Sequence, residues 1–194
     1  TKKFPELDAM MFSTIYSLRN AQKAITAETA ELTSATVLTK FDAMMDAMDE
    51  ALVPVSGRVL YCDTYTKTLI DNAITIVRNN GDKKLARNVS RLEEVDIVSV
   101  PTVLFKTEYT FNDGKTSGQT DGGFTAKSTA KDMAMILLHP SAILPIVSYS
   151  FAQLQPPSAL SQGKYVYFEE SFEDVFILNK RVDAIQICVK KSAA

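Results

Sequence analysis

An α+β fold is expected, on three observations. Two stretches with apolar residues at helical spacing fill the first 54 residues, a strand–helix unit occupies the middle, and the final part alternates aromatic and acidic residues in the manner of an antiparallel sheet. Of the 194 residues, 46% are hydrophobic and 23% charged. At this length such a composition buries roughly 70% of the surface an unfolded chain exposes, so a globular core is expected.

From Pro5 onward, Leu7, Met10, Met11, Ile15 and Leu18 recur at helical spacing, which predicts a helix to about Ala24. Pro5 stands near its start, where a missing N–H costs nothing because first-turn amides have no intrahelical acceptor. Val37, Leu38, Phe41, Met44, Met45, Met48 and Leu52 mark a second stripe, with Thr33 and Ser34 as candidate caps and Pro54 as the stop. Methionine at that spacing is read as core filler in preference to an adaptable binding surface.

Gly57 to Cys62 reads as a short buried strand, and Asp63-Thr64 as the cap of a helix carrying Leu69, Ile70, Ala73, Ile76 and Val77. Asn79, Asn80 and Gly81 end it with residues that tolerate positive φ. Val95 to Val100 and Val103 to Tyr109 have the composition of strands, interrupted by Pro101, and Met133 to Leu138 is a further strand. The segment from Asp113 to Asp132 holds four of the seven glycines and is expected as a long exposed loop. Gln155-Pro156-Pro157-Ser158 reads as a rigid connector. Lys164 to Leu178 and Ala184 to Val189 are expected to close the chain as antiparallel strands.

Twenty-one Lys and Arg against 23 Asp and Glu leave a formal charge of -2, so the whole-chain field does not attract nucleic acid. No window reaches the ~18 uncharged apolar residues of a membrane span, and no basic segment leads an apolar one at Thr1. A soluble, unsecreted chain is expected. Because Thr1 stands directly before a helix signal, the sequence is expected to begin inside a longer parent. Cys62 and Cys188 are too few for a disulfide framework and lie outside any metal-ligand spacing; in their apolar runs they read as buried small hydrophobes.

Four groups of residues are candidates for chemistry. Gly114-Lys115-Thr116 matches the tail of a phosphate-binding loop, but that loop needs a glycine at position 109, which is Tyr109, and a helix after Thr116. The match is rejected. The single histidine, His139, forms a paper triad with Cys62 and Asp63, yet a histidine next to Pro140 reads better as a hydrogen-bonded turn residue. Lys83, Lys84, Arg87 and Arg91 are basic at spacings of three and four. They lack interleaved aromatics for base stacking and precede Glu93-Glu94, so a solvated or inter-subunit charge face is expected.

The stretch YFEESFEDVFIL, Tyr167 to Leu178, places Glu169, Glu170, Glu173 and Asp174 among aromatics. On a strand, Phe168, Glu170, Phe172, Asp174, Phe176 and Leu178 share one face, while Glu169, Ser171 and Glu173 share the other. A metal cage or an acid/base pair needs carboxylates that converge, and alternation sends neighbours apart. The expectation is a sheet with one packed face and a charged surface that pairs with Lys and Arg of another subunit.

Several stretches together, GRVLYCDTYTKTLIDNA, VSRLEEVDIVSVP, LLHPSAILPIVSYSFAQLQPPSA and GKYVYFEESFEDVFILNKRVDAIQI, resemble the major capsid proteins of tailed bacteriophages. The resemblance spans nearly the whole chain and rests on the order of the pieces, from a spine helix at about Pro5 to Ala24 to a returning strand pair at the C-terminus. It implies the Hong Kong 97-type capsid fold. A discontinuous peripheral domain of residues 1–54 and 159–194 would flank an axial domain of residues 55–158, with Pro54 and Pro156-Pro157 at the crossings. The family's N-terminal arm and extended loop are not in this stretch, and a fragment or proteolytic core is expected.

The resemblance further implies a structural protein that self-assembles into an icosahedral shell around genomic DNA. Its partners would be other copies of itself, in pentamers and hexamers, with scaffold and portal proteins and non-specifically packaged DNA, and no membrane. Its place would be the virion, with host cytoplasm during assembly. No catalytic, cofactor-binding or metal-ligating residue is assigned, and no cofactor is expected. The alternatives are an encapsulin-like nanocompartment shell on the same fold and, more remotely, a small hydrolase using Cys62 and His139.

Overall fold

The computed structural model of the chain describes residues 3–78 and 89–191. Helix α1 (Lys3–Gln22) has Pro5 in its first turn, as expected. Its buried positions are Ala9, Ser13, Ile15 and Arg19, with Phe12 packed beside them. Leu7, Met10, Met11 and Leu18 are half-buried at the margins. The Arg19 guanidinium reaches out of the helix, where Nε donates to the Ile185 carbonyl at 2.8 Å and Nη1 to that of Lys23 at 2.8 Å. An apolar stem and a satisfied head allow this arginine to be buried.

Helix α2 (Val37–Glu50) buries Val37, Phe41, Met44, Met45 and Met48, which is the predicted stripe. Its two ends correct the sequence reading. The N-cap is Thr36, whose hydroxyl turns back to Thr33 instead of capping the helix. Leu52 has left the helix with φ 55° and is 90% exposed, while Val53 takes the buried place because its amide returns to the Met48 carbonyl. The buried Arg58 holds this corner, donating to the carbonyls of Val53 and Pro54 and pairing with Asp49.

Strand β1 (Val59–Asp63) runs into helix α3 (Thr64–Arg78), and Asp63 Oδ1 accepts from the Thr66 amide at 3.1 Å, the predicted cap. Expectations on Asn79, Asn80 and Gly81 lie outside the described residues, as do those on Lys83, Lys84 and Arg87. The chain continues through β2 (Arg91–Leu92) and β3 (Val95–Val100), the latter parallel to β1. Val103 to Tyr109 is not the predicted strand: Thr102 to Leu104 form a 3-10 turn, and the strand β4 (Tyr109–Phe111) begins only at its end. Tyr109 causes the curl, because its hydroxyl donates to the Val103 carbonyl at 2.7 Å and accepts from the Lys106 amide at 2.9 Å. The Gly-rich segment also carries a strand, β5 (Phe124–Ala126), paired with β4.

Strand β6 (Met133–Leu138) is buried at every position. After it comes β7 (Ile143–Gln155), a 13-residue strand absent from the sequence expectation. Strand β8 (Val166–Ile177) pairs with β7 over its whole length, and β9 (Ile185–Val189) pairs with β6. The expected closing pair of strands, β8 with β9, therefore does not form; each joins an earlier strand.

The sheet order is β2-β3-β1-β6-β9, and among the described residues β4-β5 and β7-β8 stand apart as two-stranded ribbons. Helices α2 and α3 pack on each other and on β1, β3 and β9. On the other face, Phe12 of α1 meets Tyr61 and Phe105 edge-on at ring separations of 5.3 and 5.1 Å. One hydrophobic cluster includes Ile15, Phe41, Leu60, Met135 and Ile185, so residues from 1–54, 55–158 and 159–194 share a core.

Candidate functional site

The candidate catalytic residues are held in separate, satisfied places. Cys62 is fully buried in β1, and its thiol is pushed up to about 12 by burial and by the neighbouring Asp63 charge, the opposite of an activated nucleophile. Asp63 is engaged by the Thr66 amide and by Lys190 Nζ at 2.6 Å. His139 follows Leu138, which pairs with Val59, while Cys62 pairs with Met135; the two residues are three to four strand positions apart, roughly 10–13 Å. The Ser141 amide donates to His139 Nδ1 at 3.2 Å, and Nε2–H donates to the Ser56 carbonyl at 3.2 Å. This is the turn histidine expected from Pro140, and the hydrolase alternative ends here. Cys188 is likewise buried, its thiol raised to about 12 by burial and by Glu28.

At the glycine-rich tip, Asp113 Oδ1 accepts from the amides of Lys115 and Thr116, both at 2.8 Å, and Oδ2 from the Thr116 hydroxyl at 2.7 Å. The amides that a phosphate would need are already bound by a carboxylate. Those same bonds hold Asp113 down at about 2. Of the basic cluster, the described Arg91 lies 3.5 Å from Asp96 and donates to the Glu94 carbonyl at 3.1 Å. Among the described residues no three His, Cys, Asp or Glu side chains gather as metal ligands, and no helix is long and apolar enough to cross a membrane.

What the structure does present is the β7-β8 ribbon. Its register puts Tyr149 opposite Phe172, Phe151 opposite Glu170 and Leu144 opposite Phe176. One face thus carries Leu144, Ile146, Tyr149 and Phe151 from β7 with Val166, Phe168, Phe172 and Phe176 from β8, each between 37% and 60% exposed. Glu170 and Asp174 lie on that same face, as strand alternation predicted. Tyr149 and Phe172 sit 5.9 Å apart, and Phe151 and Phe168 6.1 Å.

The expected packed face exists only near the base and is the side opposite the aromatic residues, where Val175 and Ile177 are buried and α1 lies against β8. A cleft of about 300 Å³ opens at that base, lined by Met11, Phe12, Ile15, Tyr61, Ile143 and Pro145 among others. The β7 half of the exposed face was missed in the sequence, although the alternation Tyr149-Ser150-Phe151-Ala152 carries a period of two that would have revealed it. An exposed apolar face of this extent on a two-stranded ribbon is a surface available for burial against another apolar surface.

The fold can be set beside solved structures. The chain is similar to one from the capsid structure of the Cyanophage P-SCSP1u, with a TM-score of 0.55, 13% identity, and coverage of 93% of this chain and 61% of that one. It is also similar to a chain of Mycobacterium phage Che8, with a TM-score of 0.48, 10% identity, and coverage of 91% and 56%. Of the two, the cyanophage match bears on the fold. The class is therefore a mixed α and β, phage-capsid-like fold, spanning 61% of the length of the cyanophage chain it matches. No protein-family model matches the chain, and no curated protein is similar to it in sequence.

Proposed function

We propose that the chain is part of a major capsid protein of a tailed bacteriophage, with the Hong Kong 97-type fold, and that it builds an icosahedral shell around genomic DNA. The observation that carries this reading is the exposed apolar ribbon on a body of phage-capsid-like fold. The work of such a protein is association, not catalysis. A single core makes the body rigid, and the ribbon offers side chains whose burial waits for a neighbour.

On this reading the partners are other copies in pentamers and hexamers, scaffold and portal proteins during assembly, and packaged DNA held without sequence specificity. The location is the virion, after assembly in the host cytoplasm. The division into residues 1–54 with 159–194 and residues 55–158 is a proposal about which surfaces face the periphery and which the symmetry axes. It is not a division of the core, since β9 lies in the same sheet as β1 and β6. The test is expression of the complete reading frame that contains this chain, followed by electron microscopy. Closed particles of uniform size are expected, and their absence across salt, pH and added scaffold conditions would overturn the reading.

A further inference from the structure

The two edges of the β7-β8 ribbon differ in charge. Strand β8 carries Glu169, Glu170, Glu173 and Asp174, whereas β7 has no charged residue from Ile143 to Gln155. Among the described residues β7 pairs with β8 alone, so its other edge is a row of unpaired N–H and C=O groups. Such edges are ordinarily blunted by charge, proline or a bulge. Here the blunting devices bracket the edge without covering it. Pro145 and the register shift between Val147 and Tyr149 stand on one side and Pro156-Pro157 on the other, leaving Tyr149 to Gln155 open.

From this we infer that β7 is the site of a two-fold contact between copies of this chain, in which Tyr149–Gln155 of one ribbon pairs antiparallel with the same segment of a second. The sheet would run β8-β7-β7-β8, with Ala152 at the two-fold centre, Phe151 opposite Gln153 of the second copy and Tyr149 opposite its Gln155. The inference deepens the shell reading by naming one contact, and rests on it for the identity of the partner as another copy.

Charge selects this pairing over the alternatives. Joining β8 to β8, or the two aromatic faces to each other, would set carboxylates against their own copies, which is destabilising. Pairing through β7 keeps the acidic strands three spacings apart, roughly 14 Å, beyond the ~8 Å screening length at physiological salt.

Ala152→Cys and Glu169→Cys test the contact. The two positions face each other in the β7-β8 register, so they are equally distant from the core. Paired antiparallel residues have Cα atoms roughly 4.5–5.5 Å apart, within disulfide reach. With Cys62 and Cys188 buried, the introduced thiol is the one that oxidised glutathione engages. The unaltered chain is expected to sediment as a dimer in analytical ultracentrifugation and Ala152→Lys as a monomer, while under oxidised glutathione Ala152→Cys is expected to give a disulfide-linked dimer and Glu169→Cys no disulfide link. A monomeric unaltered chain with no Ala152→Cys dimer, or equal crosslinking at both positions, overturns the contact. If the full reading frame still makes particles in that case, the shell reading stands without it. A dimer with no particles under any condition overturns the shell and leaves the contact.

Discussion

Strands β6 and β7 lie close together in the chain and meet opposite fates. Met133–Leu138 is buried at all six positions, while Ile143–Gln155, also rich in apolar residues, is exposed at every position after its first. The difference comes from neighbours. β6 sits between β1 and β9 inside the five-stranded sheet, and β7 has β8 on one edge and nothing on the other among the described residues. Apolar content therefore marks a strand without saying whether the molecule itself covers it.

Stability measurements can break or sharpen that contrast. Leu137→Ala should cost about 2–5 kcal/mol in urea unfolding, because it leaves a cavity in a strand closed on both faces. Arg58→Met should follow at about 2–3 kcal/mol, since the carbonyls of Val53 and Pro54 lose their donor inside the body. In the ribbon, Phe172→Ala should change the stability of the free chain by less than about 1 kcal/mol, as expected for a side chain that is 60% exposed. A loss at Phe172 as large as that at Leu137 would erase the distinction between body and ribbon.

Titration sharpens it from another side. Cys62 and Cys188 ionise only near 12 in the folded chain but near their ordinary 9.0 when unfolded. Below pH 9 both states hold the proton, and between 9 and 12 the unfolded state loses it first, so stability should fall as pH rises through that window. A denaturation series across pH 8 to 12 checks the slope. Tyr109, pushed up to about 12 by burial, adds to the same slope, so replacing both cysteines by alanine should reduce it without abolishing it, whereas substitutions in the ribbon should leave it unchanged. The smallest effect is expected at the glycine-rich tip, where Asp113 stays ionised down to about 2. Its contribution is present above the ordinary carboxylate range and lost as pH falls through 2, and Asp113→Ala should alter amide exchange at Lys115 and Thr116 while leaving the unfolding midpoint in place.

Much of the body was legible. The α2 stripe, the Asp63 cap, the strand–helix step from β1 to α3, and the strands Val95–Val100 and Met133–Leu138 follow from local periodicity and capping chemistry, which neighbouring residues settle among themselves. Three misreadings share a cause. Leu52 left its helix because the backbone turned at Asp49, Val103 to Tyr109 curled around the Tyr109 hydroxyl, and Ile143–Gln155 became a strand because β8 pairs along it. In each, one hydrogen bond or one neighbouring strand outweighed composition.

The candidate site divides in the same way. Alternation alone placed Phe168, Phe172 and Phe176 on one face with Glu170 and Asp174, and it dispersed the acids too widely for metal or acid/base work. It could not say that this face looks outward, because a period of two distinguishes the sides of a strand and is silent on which side is covered. From its residues alone, then, the chain determined its α+β class, the order of its helices and of strands β1, β3, β6, β8 and β9, and the sidedness of its last long strand. Only the tertiary structure decided that β8 returns to β7, that β9 closes on β6, and that an aromatic face is left open. Those outcomes depend on competition among strand edges far apart in sequence, where pairing is set by which partner completes the common core and not by anything a single segment carries.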